Sequence, residues 1–340
     1  MMKTVVAKLW LAAFVVAGLL ANVGVAEAKS NSSSDIPRLH KQGTTVQLLV
    51  DGRPFVILGG ELHNSSASSL AYMEPIWPKM VALNLNTVLA VVSWELLEPE
   101  EGHFDFALVD GLLEGARKHN LRLVLLWFGS WKNGVSSYVP GWVKRDVSRF
   151  PRMQPRPGEN AEVLTPLSET NCAADARAFA GLMRHLKEVD GTRHTVLMVQ
   201  VENEVGLLGA SRDHSPAAEA AFAKAAPAEL MTYLSDHKSE LIPEFKKYWE
   251  VAGFKTAGTW TEVFGEGADE AFMAWNMARY VGKVAAVGKV EYALPMYANA
   301  WLVQNEGQKA GDYPSGGPVS KVLDVWRAAA PAIDFLAPDI

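Results

Sequence analysis

The sequence has few of the residues and motifs that hold disulfides, metals or common cofactors. Its single cysteine, Cys172, cannot form a disulfide within the chain, so the fold must depend on a hydrophobic core. No partner base stands near Cys172 in "ETNCAAD", and a buried thiol is the expectation. Without HExxH or CxxC clusters, a GxSxG elbow or a GxGxxG loop, the sequence predicts no metal and no cofactor.

The sequence also lacks a long basic run, and its 38 acidic residues outnumber its 32 lysines and arginines. The formal net charge is −6, and the longest basic run is "FKK" at residues 245–247. A nucleic-acid surface needs an extended basic patch, so no nucleic-acid partner is expected. Hydrophobic residues make up 49% of the 340 residues, enough to bury a large core.

The first residues have the composition of an export signal. Lys3 and Lys8 precede an apolar stretch, Leu9 to Leu20. A small-x-small cleavage site, Ala-Glu-Ala, follows at residues 26–28. We interpret residues 1–28 as a cleaved signal peptide and residues 29–40 as a polar linker. A membrane anchor is the alternative, but the apolar stretch is short for a bilayer span. The mature protein is therefore expected in the periplasm or outside the cell, without stable membrane insertion.

Apolar runs alternate with helical patterns along the rest of the chain. Asp51-Gly52 separates two apolar runs and predicts a hairpin. Later runs end in polar or aromatic residues and are separated by amphipathic segments, such as the one with Phe179, Leu182, Met183 and Leu186 on one face. A Pro/Gly-rich excursion over residues 135–171 is too long for a simple turn and suggests a functional loop.

Strands that are apolar throughout, alternating with helices, indicate parallel strands covered on both faces. An open doubly wound sheet and a (β/α)₈ barrel both fit. The open sheet usually carries a glycine-rich phosphate loop after its first strand, and "ILGGELHN" has none. We therefore predict an α/β fold of the (β/α)₈ barrel type for residues 41–340, incomplete, with about six of eight β/α units.

In such a barrel the residues that follow the strands line the mouth, where active sites form. Aromatic faces there stack on sugar rings, and carboxylates and amides bind hydroxyl groups. Any one of these residues, taken alone, is more typical of packing or of an ordinary surface acid. The candidates placed at strand ends are Glu61, Trp94, Glu95, Trp127, Trp131, Asn133, Asn203, Glu204, Asn299 and Trp301.

Glu204 is the candidate proton donor among them. Burial near aromatic residues raises the pKa of a carboxyl group toward neutrality and keeps it protonated. Asn203, the preceding residue, is placed to hold a substrate hydroxyl.

Four strand ends resemble those of a known family: "GGELHNSSAS", "VVSWELLEPEEGHFDF", "WFGSWKNG" and "VQVENEVG". They are similar to the retaining β-galactosidases of glycoside hydrolase family 35, over about residues 40 to 340. The resemblance implies that Glu204 is the general acid/base and that Asn203 binds the sugar 2-hydroxyl. It also implies that Glu61, Trp94 and Glu95 line the sugar subsite.

The resemblance places the catalytic nucleophile at the end of a seventh strand. The sequence ends at "FLAPDI", in the sixth, so we expect a fragment of a longer enzyme whose nucleophile lies further on. Internal acids are weak substitutes, because Glu262, Glu266 and Glu306 do not follow convincing strands. Asp339 follows a strand but matches a scaffold position in the family.

The expected function is that of an exported, exo-acting β-galactosidase that hydrolyses terminal β-galactosyl residues of oligo- or polysaccharides. Another glycosidase of the same clan, of the endo-glucanase or mannanase type, is the second hypothesis. The third is a catalytically incomplete fragment that binds sugar and, with two open sheet edges, is prone to aggregation.

Overall fold

The computed structural model describes residues 36–339. The predicted signal peptide and residues 29–35 of the predicted linker lie outside this range. Within it, residues 38–40 of that linker already form the start of a strand. No helix between residues 36 and 339 has the length and hydropathy needed to cross a bilayer.

A small antiparallel sheet comes first. It contains β1 (Arg38–Gln42), β2 (Thr45–Val50) and β3 (Arg53–Pro54), in the order β1-β2-β3. Asp51 and Gly52 both have positive φ angles, 52° and 74°, and form the turn between β2 and β3. The hairpin predicted from Asp51-Gly52 is confirmed by the antiparallel pairing of these two strands.

The large sheet has six strands, all parallel and hydrogen-bonded in chain order. This arrangement confirms the predicted fold, an incomplete (β/α)₈ barrel, because each strand pairs with the next one along the chain. The strands are β4 (Gly59–Glu61), β5 (Thr87–Ser93), β6 (Arg122–Lys132), β7 (Val196–Asn203), β8 (Met296–Ala300) and β9 (Phe335–Pro338).

Helices connect these strands. The described residues form α1 (Leu70–Met73), α2 (Trp77–Ala82), α3 (Trp94–Leu97), α4 (Ala107–Lys118), α5 (Gly141–Arg145), α6 (Glu169–Asp190), α7 (Pro216–Phe222), α8 (Ala228–Asp236), α9 (Pro243–Val251), α10 (Trp260–Phe264), α11 (Ala268–Glu291) and α12 (Leu323–Ala329). Short 3₁₀ turns lie at Ser66–Ser68, Gly265–Gly267 and Ser320–Val322.

The two faces of the large sheet pack against different partners. Val88, Ala90 and Val92 of β5 belong to the main core, which the helices cover. Val91, between them, belongs to a second core cluster on the opposite face, which also contains Leu48 and Val50 of the small sheet. Both faces are therefore buried, which explains why the strands are apolar at every position instead of every second one.

Helix α6 lies between β6 and β7 in the chain and carries the predicted apolar face. Phe179, Leu182, Met183 and Leu186 are all fully buried, which confirms that prediction. Cys172, near the start of α6, is buried as well. Burial is the main cause that raises the pKa of its thiol to about 12, so the thiol remains protonated and unreactive.

The excursion over residues 135–171 is packed and not extended into solvent. Phe150, Met153, Val163 and Leu164 are fully buried in the main core. An isolated bridge between Arg152 and Leu164 ties its two halves together. Its predicted functional role stays a prediction.

Candidate active site

Polar side chains gather at the carboxyl ends of five of the six parallel strands. Their convergence follows from the topology, because parallel strands paired in chain order end at one edge of the sheet. The residues are Glu61 at the end of β4, Lys132 at the end of β6, Asn203 at the end of β7, Asn299 near the end of β8, and Asp339 directly after β9.

Glu204 lies at the centre of this group and is only 6% exposed. Its backbone N–H donates to the Asn299 side-chain oxygen at 2.8 Å. The Asn133 amide donates to the Glu204 carboxyl group. Glu204 and Asn133 both have left-handed φ angles, 43° and 55°. Such angles are costly for residues other than glycine, and they are typical of functional sites where the surrounding contacts hold the backbone.

The Glu204 carboxyl group has a pKa raised to about 7. Burial is the largest cause, because it removes water from the charged form. The Asp339 carboxylate raises the pKa further, while Lys132 and the Asn133 hydrogen bond lower it. Near neutral pH this carboxyl can therefore both release and accept a proton, as a general acid/base must.

Lys132 supplies the positive charge of the site. It is buried, and its ammonium donates to the Asn203 side-chain oxygen at 2.8 Å. Burial lowers the pKa of Lys132, and the carboxylates of Glu204, Asp339 and Glu61 oppose that change. Glu61 is more exposed, and its own pKa is raised by burial and by Asp339. The mouth thus combines one ammonium with three carboxyl groups.

A cavity of about 380 Å³ is bordered by three of the strand-end residues, Glu61, Asn299 and Asp339. Its volume is within the range of small-molecule sites, and it combines an apolar wall with polar groups at the rim. The lining residues are Ile57, Glu61, Leu89, Val124, Met198, Gln200, Tyr297, Asn299, Phe335, Ala337, Pro338 and Asp339.

Three of the tryptophans expected at the mouth lie in the core instead. Trp94, Trp127 and Trp131 are all 0% exposed. The Trp94 indole donates to Glu98 at 2.7 Å, and Trp131 packs edge-on against Tyr280. Their indole faces are covered by protein, so in this structure they stabilise the core and offer no surface to a sugar.

Two other expected residues lie outside the Glu204 cluster. Glu95 is paired with Lys144 at 2.8 Å, and both side chains are well exposed. Trp301 is half-buried and packs against the main core. Glu61, Asn133, Asn203, Glu204 and Asn299 are the expected residues that the fold brings together; their roles in catalysis and binding stay predictions.

Sequence reasoning missed Lys132 and gave Asp339 to the scaffold. The structure corrects the second assignment, because the Asp339 carboxylate acts on Glu204, Glu61 and Lys132. A signal was present for both: each residue is charged and stands at the end of an apolar run, "LRLVLLWFGSWK" and "FLAPD". Position alone could not show which face of the strand end these side chains occupy.

The internal acids considered as substitute nucleophiles lie elsewhere. The Glu262 carboxylate accepts from the Thr259 backbone and completes a capping box at the start of α10. Glu266 and Glu306 line a separate cavity of about 590 Å³ with Tyr248 and Tyr313. None of these three acids is among the charges that act on Glu204.

Glu202, two residues before Glu204, binds backbone groups of the neighbouring strand. Residues 127–132 of β6 face only residues 201–203 of β7, so β6 has a bulge at this point. The Glu202 carboxyl fills the gap and accepts the backbone N–H groups of Ser130 at 3.1 Å and Trp131 at 2.9 Å. The carboxyl group thus accepts the backbone N–H groups that have no partner on β7 because of the bulge. These bonds hold the strand end that carries Asn203 and Glu204.

Within residues 36–339, no group of three or more His, Cys, Asp or Glu side chains is arranged to hold a metal ion.

Comparisons of the fold identify several solved structures with the same architecture. The beta-galactosidase from the psychrophilic Marinomonas ef1 matches with a TM-score of 0.53 at 11% identity, over 84% of this chain and 40% of that one. The catalytic domain of the beta-amylase from Paenibacillus polymyxa matches with a TM-score of 0.55 at 11% identity, over 83% of this chain and 75% of that one. At these identities the likeness shows the fold alone.

Two characterised relatives match in sequence. A beta-galactosidase from Xanthomonas manihotis is 28% identical over 212 residues, which is 59% of this chain and 32% of the relative. An exo-beta-D-glucosaminidase from Thermococcus kodakarensis is 33% identical over 107 residues, 28% of this chain and 13% of the relative. The chain thus spans about a third or less of the length of these relatives.

A family model also matches, over residues 71–265, and it describes beta-galactosidases of glycoside hydrolase family 42. The clan of barrel glycosidases expected from the strand ends is confirmed, but family 35 is replaced by family 42. The matched segment contains Asn133, Asn203 and Glu204 and covers more than half of the 340 residues. The chain therefore belongs to glycoside hydrolase family 42.

Proposed function

We propose that this chain carries the acid/base half of a retaining exo-β-galactosidase. The observation that supports this most directly is the end of β7, where Asn203 precedes a buried Glu204 with a pKa raised to about 7. A glycosidase needs a carboxylic acid that is still protonated near neutral pH to protonate the departing oxygen.

In the proposed reaction Glu204 gives its proton to the glycosidic oxygen as the bond to the anomeric carbon breaks. It then takes a proton from the water that releases the sugar. Asn203 binds a sugar hydroxyl near the anomeric centre, and Lys132 fixes the orientation of the Asn203 amide. A retaining mechanism also needs an attacking carboxylate about 5–5.5 Å from the acid. The resemblance in the strand ends predicts it at the end of a seventh parallel strand, and the large sheet of residues 36–339 has six.

The choice of galactose rests on the family. The matching model and the relative from Xanthomonas manihotis are both described as beta-galactosidase. The cavity bordered by Glu61, Asn299 and Asp339 is large enough for a single sugar ring. This favours removal of one terminal residue over binding of a long polymer.

A second candidate is cleavage of terminal β-glucosaminides. Three carboxyl groups, those of Glu61, Glu204 and Asp339, surround the mouth, against the single ammonium of Lys132. An amino sugar carries a positive charge that such a site attracts. The match to an exo-beta-D-glucosaminidase points the same way, over a shorter segment.

An assay with nitrophenyl glycosides tests these proposals. We expect the β-galactoside to be hydrolysed fastest, with the β-anomer of galactose as the first product by NMR. Preference for the β-glucosaminide would select the second candidate, and internal cleavage of glucan or mannan would select an endo-acting enzyme. Binding of galactose with no hydrolysis of any substrate would favour the sugar-binding alternative.

Export is a separate proposal, based on the composition of residues 1–28. Expression with this segment should place the protein in the periplasm or the medium, and N-terminal sequencing should locate the cleavage after Ala28. Retention of an intact first segment in the cytoplasm would contradict it.

A further inference from the structure

Lys132 and Asn203 are in direct contact where β6 and β7 end. The two residues are paired in register, and the Lys132 ammonium donates to the Asn203 side-chain oxygen at 2.8 Å. Lys132 is 8% exposed and Asn203 is 1% exposed, so little water competes for this bond. The bond joins the positive charge of the site to the amide that is proposed to hold a sugar hydroxyl.

Further contacts hold Lys132 in place. Its backbone N–H donates to the Ser136 oxygen at 2.8 Å, and its ammonium lies 5.2 Å from the centre of the Phe128 ring. An aromatic face at this distance attracts a cation. Burial lowers the pKa of Lys132, and the three carboxyl groups of the mouth oppose that change, which favours the ammonium form.

The ammonium fixes which way the Asn203 amide faces. It has three donors and no acceptor, so only the amide oxygen can face it. Half a turn of the amide would place its N–H groups against Lys132, where donor would meet donor. Within residues 36–339, no group accepts a hydrogen bond from the Asn203 side-chain nitrogen. This nitrogen is the part of the amide left for a ligand, and it can only donate.

A donor at this point distinguishes between substituents of a sugar ring. A hydroxyl group has two lone pairs and accepts the amide N–H. An ammonium group has donors only, so it would leave the amide nitrogen unpaired, and the charge of Lys132 would repel it from the amide oxygen. The carboxyl groups of the mouth attract cations in general, but Lys132 is the charged group in direct contact with Asn203.

We propose that Lys132 is a positioning residue that orients the Asn203 amide and so makes the site select sugars with a 2-hydroxyl group over sugars with a 2-ammonium group. The selection rests on the proposed function, in which Asn203 contacts the 2-position of the sugar. It narrows the substrate class to neutral β-galactosides and counts against the β-glucosaminides of the second candidate.

Calorimetric binding of three methyl β-galactosides to the 340-residue chain tests this selection without turnover. The first is the unmodified sugar, the second has an amino group at position 2, and the third has one at position 6. All are measured at mildly acidic pH, where the amino groups are charged. The wild type should bind the 2-amino sugar about 10- to 100-fold more weakly than the unmodified sugar, the usual cost of an unpaired buried donor. The 6-amino sugar measures the attraction of the mouth for any cation.

Lys132→Met should narrow the difference between the first two sugars by about tenfold or more, because the amide can then turn its oxygen to the ammonium. The 6-amino sugar corrects for the lost charge and should change much less. Lys132→Arg keeps the charge and has donors only, so it should preserve the difference. Lys224→Met, at an exposed position after α7, removes a charge elsewhere and should leave all three affinities unchanged.

Equal binding of the unmodified and 2-amino sugars by the wild type would overturn the proposal, as would an unchanged difference in Lys132→Met. If that variant does not fold, Lys132→Gln provides the same comparison, because a glutamine amide can donate or accept and leaves Asn203 free to turn. Binding of none of the three sugars would overturn both proposals. Failure to cleave any galactoside, together with the expected affinities, would reject the proposed function and leave the selection standing.

Discussion

The carboxyl groups of Glu202 and Asp175 are both fully buried and lie on either side of Gly129, where a Cβ atom would be 2.5 Å from a Glu202 oxygen and 3.2 Å from an Asp175 oxygen. Asp175 accepts from Trp127 at 2.9 Å, Ser130 at 2.6 Å and Tyr280 at 3.1 Å. Burial, followed by the nearby Asp175, raises the pKa of Glu202 well above its ordinary value. We therefore expect Glu202 to keep its proton to a higher pH than an ordinary glutamate, because burial beside a second acid disfavours its charged form.

This proton makes the stability of the fold dependent on pH. The folded chain keeps a proton on Glu202 that the unfolded chain releases above the ordinary pKa of a glutamate, 4.5. The free energy of unfolding should fall as the pH rises from there toward the folded pKa of Glu202, by at most about 1.4 kcal/mol per pH unit. Glu202→Gln keeps an uncharged donor beside Asp175 and should remove this part of the pH dependence. Urea unfolding at several pH values measures it.

Glu270→Gln is the matched control for that experiment. Glu270 is also buried with a raised pKa, but it bonds Tyr313 in a different part of the fold. Its substitution should leave the contribution of Glu202 in place. Equal pH dependence in the wild type and Glu202→Gln would show that the carboxyl pair carries no proton.

Gly129 is the residue that lets this network form. A Cβ atom there would lie 2.5 Å from a Glu202 carboxyl oxygen and 2.8 Å from the Trp127 indole nitrogen. Gly129→Ala should lower the free energy of unfolding by about 1–3 kcal/mol, since overpacked cores lose that much. Gly141→Ala is the control, because only the flexible Arg145 guanidinium is near. Equal thermal midpoints for the two variants would contradict the packing described here.

Glu204→Gln should lower kcat on galactosides with alkyl leaving groups by about 10²–10⁴-fold, the usual contribution of a general acid. The fold should be unchanged, because glutamine still accepts from Asn133. Nitrophenyl galactosides should lose less in the first step, since nitrophenolate departs without protonation. Glu229→Gln, at an exposed site on α8, is the control. Unchanged turnover of an alkyl galactoside would reject the role of Glu204.

Trp94→Phe should affect stability and not substrate binding. The change removes the N–H group that donates to Glu98, and losing a buried hydrogen bond costs about 1–3 kcal/mol. KM should remain the same, because the indole is fully buried. Trp301→Phe, at a half-buried residue just after β8, is the comparison. A raised KM with unchanged stability in Trp94→Phe would place this tryptophan at the sugar.

The order of strands and helices was predictable because apolar runs and helical faces are local patterns. "TVLMVQVENEVG" shows a buried strand that ends in Glu202, Asn203 and Glu204, and β7 runs from Val196 to Asn203. Parallel pairing then implied that the strand ends meet, which brought Glu61, Asn133, Asn203 and Glu204 into one hypothesis.

Which side of the sheet each strand-end residue faces was not predictable in this way. The Glu202 carboxyl is buried in the core opposite the bulge of β6. Trp94 and Trp131 are also fully buried and pack in the core instead of lining the mouth.

The sequence by itself determined the fold class and the pair Asn203-Glu204, since both depend on neighbouring residues in the chain. Only the tertiary structure decided that Lys132 and Asp339 join the site, that Glu202 does not, and that Glu204 has a pKa near 7. The physical reason is that burial and charge depend on groups brought together from distant strands, here β4, β6, β7 and β9.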